Sequence, residues 1–240
     1  MNEKRRILIT NDDGIDASGI IRLAAAAVKF GEVYVVAPDS QRSAMSHSIT
    51  LRHSFEMYPA DFPVDGVQAY KSTGTPADCI RVGILNIMHG DVDVVLSGIN
   101  FGYNTATDMQ YSATAGAAFE AAFQGVRAIA FSEGFNGCTE VTDHYLEEVI
   151  AELIDKPLGY GQIWNVNFPE CPLSECRGIL RDRFLSTQSF YVDRYNEEKL
   201  EDGGMRYTVN GTYREPREEG SDMTALIDKY VSIGIARNIS

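Results

Sequence analysis

Two adjacent carboxylates, Asp12 and Asp13, are the residues of this sequence best suited to chemistry. They follow the apolar run 7–9 and come directly before Gly14. Like charges repel, and a carboxylate is costly to bury without a partner, so a cation is expected beside them. A hard divalent cation suits paired carboxylate oxygens. Asn-Asp-Asp-Gly is also ordinary turn chemistry, but a strand predicted before it and a helix predicted after it favour an ion site.

Neutral oxygen atoms follow two further predicted strands. Ser43 lies in the loop 39–48, and Asn100 follows the strand predicted at 92–97. Hydroxyl and amide oxygens can complete, with water, the coordination shell of an ion such as magnesium or manganese. A helix is predicted to begin after Ser112. The free N–H groups and positive dipole end of a helix start suit a phosphate, so these residues together indicate a metal–phosphate site.

Alternating strands and helices are predicted to position these side chains. The predicted strands are 5–10, 32–37, 67–72, 92–97, 127–132, 162–167 and 230–235, and the predicted helices are 18–30, 75–88, 112–125 and 141–155. This alternation is typical of an α/β fold with a mostly parallel sheet flanked by helices. Ligands of such sheets bind beyond the carboxyl ends of the strands, where the polar loops are expected to meet.

The C-terminal part of the chain has a different texture. Segment 193–222 is strongly polar, and Asn210-Gly211 within it is typical of a two-residue β-hairpin turn. A two-stranded ribbon is marginal by itself, so this one is expected to lean on the main domain or on another subunit. We predict one domain over residues 1–240, with 186–240 as a C-terminal extension that takes part in oligomer contacts.

Composition excludes several classes of partner. The chain has 34 acidic and 21 basic residues and a formal net charge of -13, which disfavours duplex nucleic acid and anionic membranes. No secretory apolar region follows the basic start, and no run of 18 apolar residues occurs. The four cysteines are Cys79, Cys138, Cys171 and Cys176. They lack metal-binding spacing, which argues against a zinc site and against a disulfide framework. We expect a cytoplasmic protein with reduced thiols.

Five stretches of the chain resemble the SurE family of survival proteins, which are metal-dependent 5′/3′-nucleotidases. They are Ile7–Ile15, Val35–Thr50, Ser72–Cys79, Ser97–Asn104 and Tyr230–Ser232. They span nearly the whole chain in family order. The resemblance implies a Rossmann-like α/β domain whose C-terminal β-hairpin arm is exchanged between the subunits of a homodimer or homotetramer.

The resemblance also implies an activity and a site. The expected reaction is hydrolysis of nucleoside monophosphates to nucleoside and phosphate, with one magnesium or manganese ion per subunit. The implied metal ligands are Asp12, Asp13, Ser43 and Asn100, of which the two aspartates are also catalytic. The expected substrate contacts are Asn11, Asn104, Ser112 and Thr114. The proton acceptor stays open between the aspartates and His47. Phe101, Tyr103 and Tyr111 depart from the family, which commonly has arginine, proline and histidine there.

Two other interpretations use the same residues. Asp12 could act as a covalent nucleophile through an aspartyl-phosphate, but such phosphatases need a second acid two residues later, where this chain has Gly14. A non-catalytic module that binds or senses nucleotides would keep the pocket without turnover. A purely structural oligomer conflicts with the cost of paired carboxylates at a sheet edge.

Overall fold

The computed structural model describes residues 4–239. The strands are β1 (Arg6–Thr10), β2 (Glu32–Pro38), β3 (Met57–Ala60), β4 (Gln68–Ser72), β5 (Val94–Phe101), β6 (Arg127–Glu133), β7 (Gln162–Phe168), β8 (Ile179–Leu180), β9 (Tyr191–Val192), β10 (Tyr195–Lys199), β11 (Met205–Val209), β12 (Thr212–Tyr213) and β13 (Val231–Arg237). The α-helices are α1 (Ser18–Ala27), α2 (Pro76–Val82), α3 (Ala113–Phe123), α4 (Glu140–Leu153) and α5 (Asp222–Ile227).

Nine of these strands form one mixed sheet in the order β3-β4-β2-β1-β5-β6-β7-β13-β8. The six central strands, from β4 to β7, are all parallel. β3 runs antiparallel to β4, and β13 runs antiparallel to β7. The predicted mostly parallel α/β architecture is therefore confirmed.

The central strands are buried on both faces because helices cover both sides of the sheet. In β1, Ile7 and Ile9 belong to the core on one face, and Leu8 belongs to the core on the other. This alternation follows from the two-residue period of a strand. Leu23 of α1 packs in the first core and Ile80 of α2 in the second. Such continuous apolar runs are typical of parallel sheets.

Local signals located most of the elements. All seven predicted strands occur, and the four predicted helices occur with shorter bounds. Thr75 caps α2 as expected, in a capping box with Asp78 and with Pro76 at the first helical position. The helix predicted to reach residue 88 is α-helical only as far as Val82, and a π-helical turn continues it over Gly83–Ile87. No helix within residues 4–239 has both the length and the apolar character of a membrane span.

The predicted turn at Asn210-Gly211 is wrong, although the chain does form a β-hairpin here. β10 pairs with β11, so that Lys199 faces Met205, and β9 pairs with β12 in the same register. The hairpin therefore turns over 200–204, and Asn210 lies within its second arm. Gly203 supplies the left-handed backbone at the turn, with φ of 90°. With the turn at 200–204, β9 and β10 on one arm can pair with β12 and β11 on the other in a single register.

Candidate active site

The carboxyl ends of β1 and β5 lie side by side at the point where the order of the strands in the sheet reverses. From β1 the chain builds outward through β2 and β4, then returns to β5 on the other side of β1 and continues through β6 and β7. Thr10 at the end of β1 pairs with Ser97 of β5. Loops leaving adjacent strands in opposite directions open a crevice at this point, which is where open α/β sheets bind ligands.

Asp12 and Asp13 lie at the mouth of this crevice and differ in their surroundings. The Asp12 side chain is only 3% exposed, and its Oδ1 accepts a hydrogen bond of 2.5 Å from the Thr114 hydroxyl. The carboxylate of Asp13 is half-buried and accepts from the Phe101 amide at 3.0 Å and from Gln41 at 3.4 Å. Thus one carboxylate is held by α3 and the other by the end of β5.

Backbone hydrogen bonds join the segments that carry the two predicted neutral ligands, Ser43 and Asn100, to the turn that carries the two aspartates. The Arg42 amide, beside Ser43, donates to the Asp12 carbonyl at 2.6 Å. The Phe101 amide, beside Asn100, donates to Asp13. The Asn100 side-chain nitrogen donates to the Gly102 carbonyl at 2.7 Å, which leaves its Oδ1 to serve as a ligand. The loop that carries Ser43 and the end of β5 that carries Asn100 therefore both lie against the turn with Asp12 and Asp13.

Both carboxylates are electrostatically unsatisfied. Burial, and to a smaller extent the charge of Asp13, raises the pKa of Asp12 from 3.8 to about 6. Burial also raises the pKa of Asp13, and the charge of Glu133 adds to that effect. Within residues 4–239 neither carboxylate forms a salt bridge with a lysine or arginine. Desolvated, like-charged oxygens without a protein cation are the expected surroundings of a hard divalent ion.

The donor set fits magnesium or manganese better than zinc. It consists of two carboxylates, a hydroxyl and an amide oxygen, all hard oxygen ligands. No group of three histidine, cysteine or acidic side chains in the described chain has the arrangement of a metal site. The four cysteines are free thiols.

Helix α3 begins beside these residues. Ser112 caps it by accepting a hydrogen bond of 2.9 Å from the Ala115 amide, as the sequence predicts. Gly116 allows the loop that carries Ser43 to approach the helix, because a Cβ here would lie 2.7 Å from the Ser46 carbonyl oxygen. Thr114 is fully buried and directs its hydroxyl at Asp12. The expected phosphate contact at Thr114 is thus already engaged with a carboxylate.

Two predicted substrate contacts are buried and partly engaged in holding the loops. The side chain of Asn104 donates to Ser132 at 2.8 Å, and its backbone amide donates to Asn167 at 2.9 Å. The side chain of Asn11 donates to the Gly14 carbonyl at 2.8 Å, while its buried Oδ1 has no hydrogen-bond partner in the described chain. Asn104 therefore braces the loop after β5, and Asn11 braces the turn that contains the two aspartates.

His47 points along α3, away from its beginning. Its Nε2 lies 2.8 Å from Glu120 Oε2, and its ring stacks on Phe123 at 5.6 Å. Glu120 comes six residues after Thr114, or about 9 Å farther along the helix axis. The structure therefore separates the His47 ring from the helix start at which a phosphate would bind.

Sequence reasoning missed a buried ion pair beside Asp13. Glu133 is 5% exposed at the end of β6, and Arg22 of α1 holds it at 2.7 and 3.1 Å while also binding Asp143. The Glu133 carbonyl accepts from the Gly102 amide at 2.9 Å. Glu133 directly follows the predicted strand 127–132, just as the acids Asp12 and Asp13 closely follow the first predicted strand, so the sequence could have indicated it. Its partner Arg22 lies 111 residues away, and no sequence pattern indicates that pairing.

The sequence is similar to those of known proteins over nearly its whole length. The profile of the family described as Survival protein SurE matches residues 7–189. A 5′-nucleotidase SurE from Flavobacterium johnsoniae is 34% identical over 236 residues, which cover 97% of this chain and 90% of that protein. A 5′-nucleotidase SurE from Thermosipho melanesiensis is 36% identical over 230 residues, covering 95% of this chain and 89% of its own length.

The architecture agrees as well. The crystal structure of the SurE protein from Aquifex aeolicus superposes with a TM-score of 0.83 at 30% sequence identity, over 98% of this chain and 94% of that one. The similarity thus includes the sheet, the crevice at its switch point and most of the C-terminal extension. On sequence and on fold, the chain belongs to the SurE family.

Proposed function

We propose that this protein is a phosphomonoesterase that hydrolyses nucleoside monophosphates to nucleoside and phosphate. Its relatives named 5′-nucleotidase SurE support the reaction and the substrate class. The single observation that carries the proposal is the pair Asp12 and Asp13, desolvated at the switch point of the sheet without a cationic partner in the described chain. A dianionic phosphate could not approach such a site unless a cation neutralised it.

The cation that we propose is one magnesium or manganese ion per subunit. Asp12 Oδ2, the Asp13 carboxylate, the Ser43 hydroxyl and Asn100 Oδ1 are the atoms that would hold it. When bound, it would supply charge neutralisation for the phosphoryl oxygens as the ester bond breaks. Thr114 orients Asp12 by donating to Oδ1 at 2.5 Å, which would leave Oδ2 as the atom for the ion.

The phosphate is bound, in this proposal, at the start of α3. The helix supplies free N–H groups and the positive end of its dipole. Ser112 uses its oxygen as the cap acceptor and keeps its hydroxyl hydrogen for a phosphoryl oxygen. Asn104 has one side-chain hydrogen on Ser132 and a second for the substrate. Asn11 and Thr114 act through the aspartates that they support.

We assign the proton acceptor to the aspartate pair rather than to His47. The two carboxylates lie at the mouth of the crevice, where they are held by the Thr114 hydroxyl and the Phe101 amide. The His47 Nε2 is engaged by Glu120, some two turns along α3 from the proposed phosphate position. Neither the covalent route through Asp12 nor a binding module without turnover has an observation in its favour.

The test is phosphate release from nucleoside monophosphates with manganese or magnesium, and again after chelation. We expect Asp13→Asn to lower kcat/KM at least about a hundredfold, as loss of a metal ligand does. Manganese binding, measured by calorimetry, should weaken with it. Asp16→Asn is the matched control, because Asp16 is an exposed acid in the same turn. Full activity of the Asp13→Asn protein, or activity unchanged by chelator, would contradict the proposal.

We further propose that the C-terminal ribbon packs against another copy of the chain. One face of the paired strands β10 and β11 carries four exposed apolar or aromatic residues together with Glu197 and Lys199, and the opposite face is polar throughout; the four are Tyr195, Met205, Tyr207 and Val209. An apolar face on a two-stranded ribbon is unstable in water unless another surface covers it. A homodimer or homotetramer would provide that cover. The four free thiols support the expected cytoplasmic location.

A further inference from the structure

Phe101 is a large aromatic residue at the edge of the proposed catalytic site. It is the last residue of β5 and follows the proposed ligand Asn100. Its backbone amide donates to Asp13 Oδ2 at 3.0 Å, and its side chain is 58% exposed. A proposed metal ligand precedes it in the chain, and its own amide holds a second one. Its ring is therefore attached to the backbone that shapes the site.

The backbone of Phe101 is fixed, but its ring is free. Phe101 pairs with Glu133 in the sheet, and the next amide, that of Gly102, donates to the Glu133 carbonyl at 2.9 Å. No aromatic partner stacks on the Phe101 ring within residues 4–239. Single exposed apolar residues are common on protein surfaces, so exposure alone carries no meaning. Phe101 differs from other exposed apolar residues because its backbone amide is bonded to Asp13 at the mouth of the crevice. A substrate bound in the crevice would therefore lie close to Phe101.

We propose that Phe101 is the stacking platform for the nucleobase of the substrate. This inference rests on the proposed nucleotidase function and names the part of the substrate that the site selects. A phosphate at the metal ion leaves the nucleoside projecting from the crevice mouth, where Phe101 lies. The occupant is then an uncharged aromatic base, because the Phe101 ring offers a π-face for stacking and no charge or hydrogen-bond donor for an anionic group.

Stacking predicts a particular form of selectivity. Every base offers a π-face, so an aromatic platform accepts all of them and rejects phosphomonoesters that have no base. The contact is remote from the phosphorus atom and equally strong in the ground state and the transition state. It therefore lowers KM without raising kcat. Phe101 should separate nucleotides from sugar phosphates by KM.

The experiment compares adenosine and cytidine 5′-monophosphates with ribose 5-phosphate, in Phe101→Ala, Phe101→Trp and wild-type protein with manganese. Phe101→Ala should raise KM for both nucleotides about tenfold, with kcat within about twofold. Its KM for ribose 5-phosphate should not change, and Phe101→Trp should keep the nucleotide preference. Tyr160→Ala is the control. Tyr160 is 73% exposed and lies just before β7, at the amino ends of the parallel strands, whereas Phe101 lies at the carboxyl end of β5.

Two results would overturn the inference. Equal losses on nucleotides and ribose 5-phosphate would mean that Phe101 only shapes the loop that holds Asp13. Unchanged kinetics of Phe101→Ala would mean that its ring touches no substrate. If wild-type protein released no phosphate from any substrate, the proposed function would fail instead. Calorimetric binding of adenosine 5′-monophosphate and ribose 5-phosphate to the same variants would then decide the stacking by itself.

Discussion

Replacing Asp12 with asparagine should make the metal-free protein more stable while it removes the metal site. The Asp12 carboxylate is buried, and burial raises its pKa from 3.8 to about 6. A difference of about two pH units between the folded and unfolded chains corresponds to about 3 kcal/mol of unfolding free energy. Asparagine has the same shape, carries no charge and can still accept the hydrogen bond from Thr114.

The sign of the effect follows from proton linkage. Between pH 3.8 and about 6 the folded protein holds a proton on Asp12 that the unfolded chain has released. Stability of the metal-free wild type therefore falls as pH rises through this window, and the full penalty persists above it. Below the window the carboxyl is neutral in both states and the penalty disappears. The Asp12→Asn protein has no such dependence.

The assay is thermal unfolding in chelator at pH 8 and at pH 4, with Asp16→Asn as the control for loss of an exposed charge. For a chain of this size, 3 kcal/mol corresponds to a rise in Tm of about 6–12 °C. We expect that rise for Asp12→Asn at pH 8 and only about a fifth of it at pH 4, where linkage leaves a penalty of about 0.5 kcal/mol. Manganese at a thousand times its Kd should reverse the order at pH 8, since it then stabilises the wild type by about 4.1 kcal/mol, more than the penalty of about 3 kcal/mol. An Asp12→Asn protein that is no more stable than wild type in chelator at pH 8 would refute the reasoning.

Two further predictions concern groups outside the proposed catalytic residues. Arg22→Met should lower the free energy of unfolding in urea by about 3 kcal/mol, because it leaves the buried Glu133 carboxylate unpaired. Adding Glu133→Gln should recover most of that loss, and a single variant as stable as wild type would contradict the role of the pair. Tyr195→Lys combined with Tyr207→Lys should reduce the mass measured by light scattering to that of a monomer. An unchanged oligomer would show that the ribbon does not hold it.

Most of the secondary-structure elements depend on neighbouring residues and could be predicted from the sequence, whereas the position of the hairpin turn depends on distant segments. Seven strands and four helices could be predicted because apolar periodicity and capping residues act within a few positions, as Thr75 with Asp78 illustrates. The short edge strand β3 was missed because it contains Pro59, which argues against a strand. The hairpin turn was misplaced because Gly203 and Asn210 are both good turn residues, and only pairing of the complete arms chooses between them.

For the site, the sequence by itself determined which atoms are available: two acids after a buried strand, oxygen donors after two others, and a helix start suited to an anion. Tertiary structure alone decided how those atoms are used. The Thr114 hydroxyl reaches Asp12 across 102 residues, and the Phe101 amide reaches Asp13 across 88. Glu120 draws His47 away from the helix start. Such hydrogen bonds depend on the register of distant segments, and residue type and local periodicity carry no information about that register.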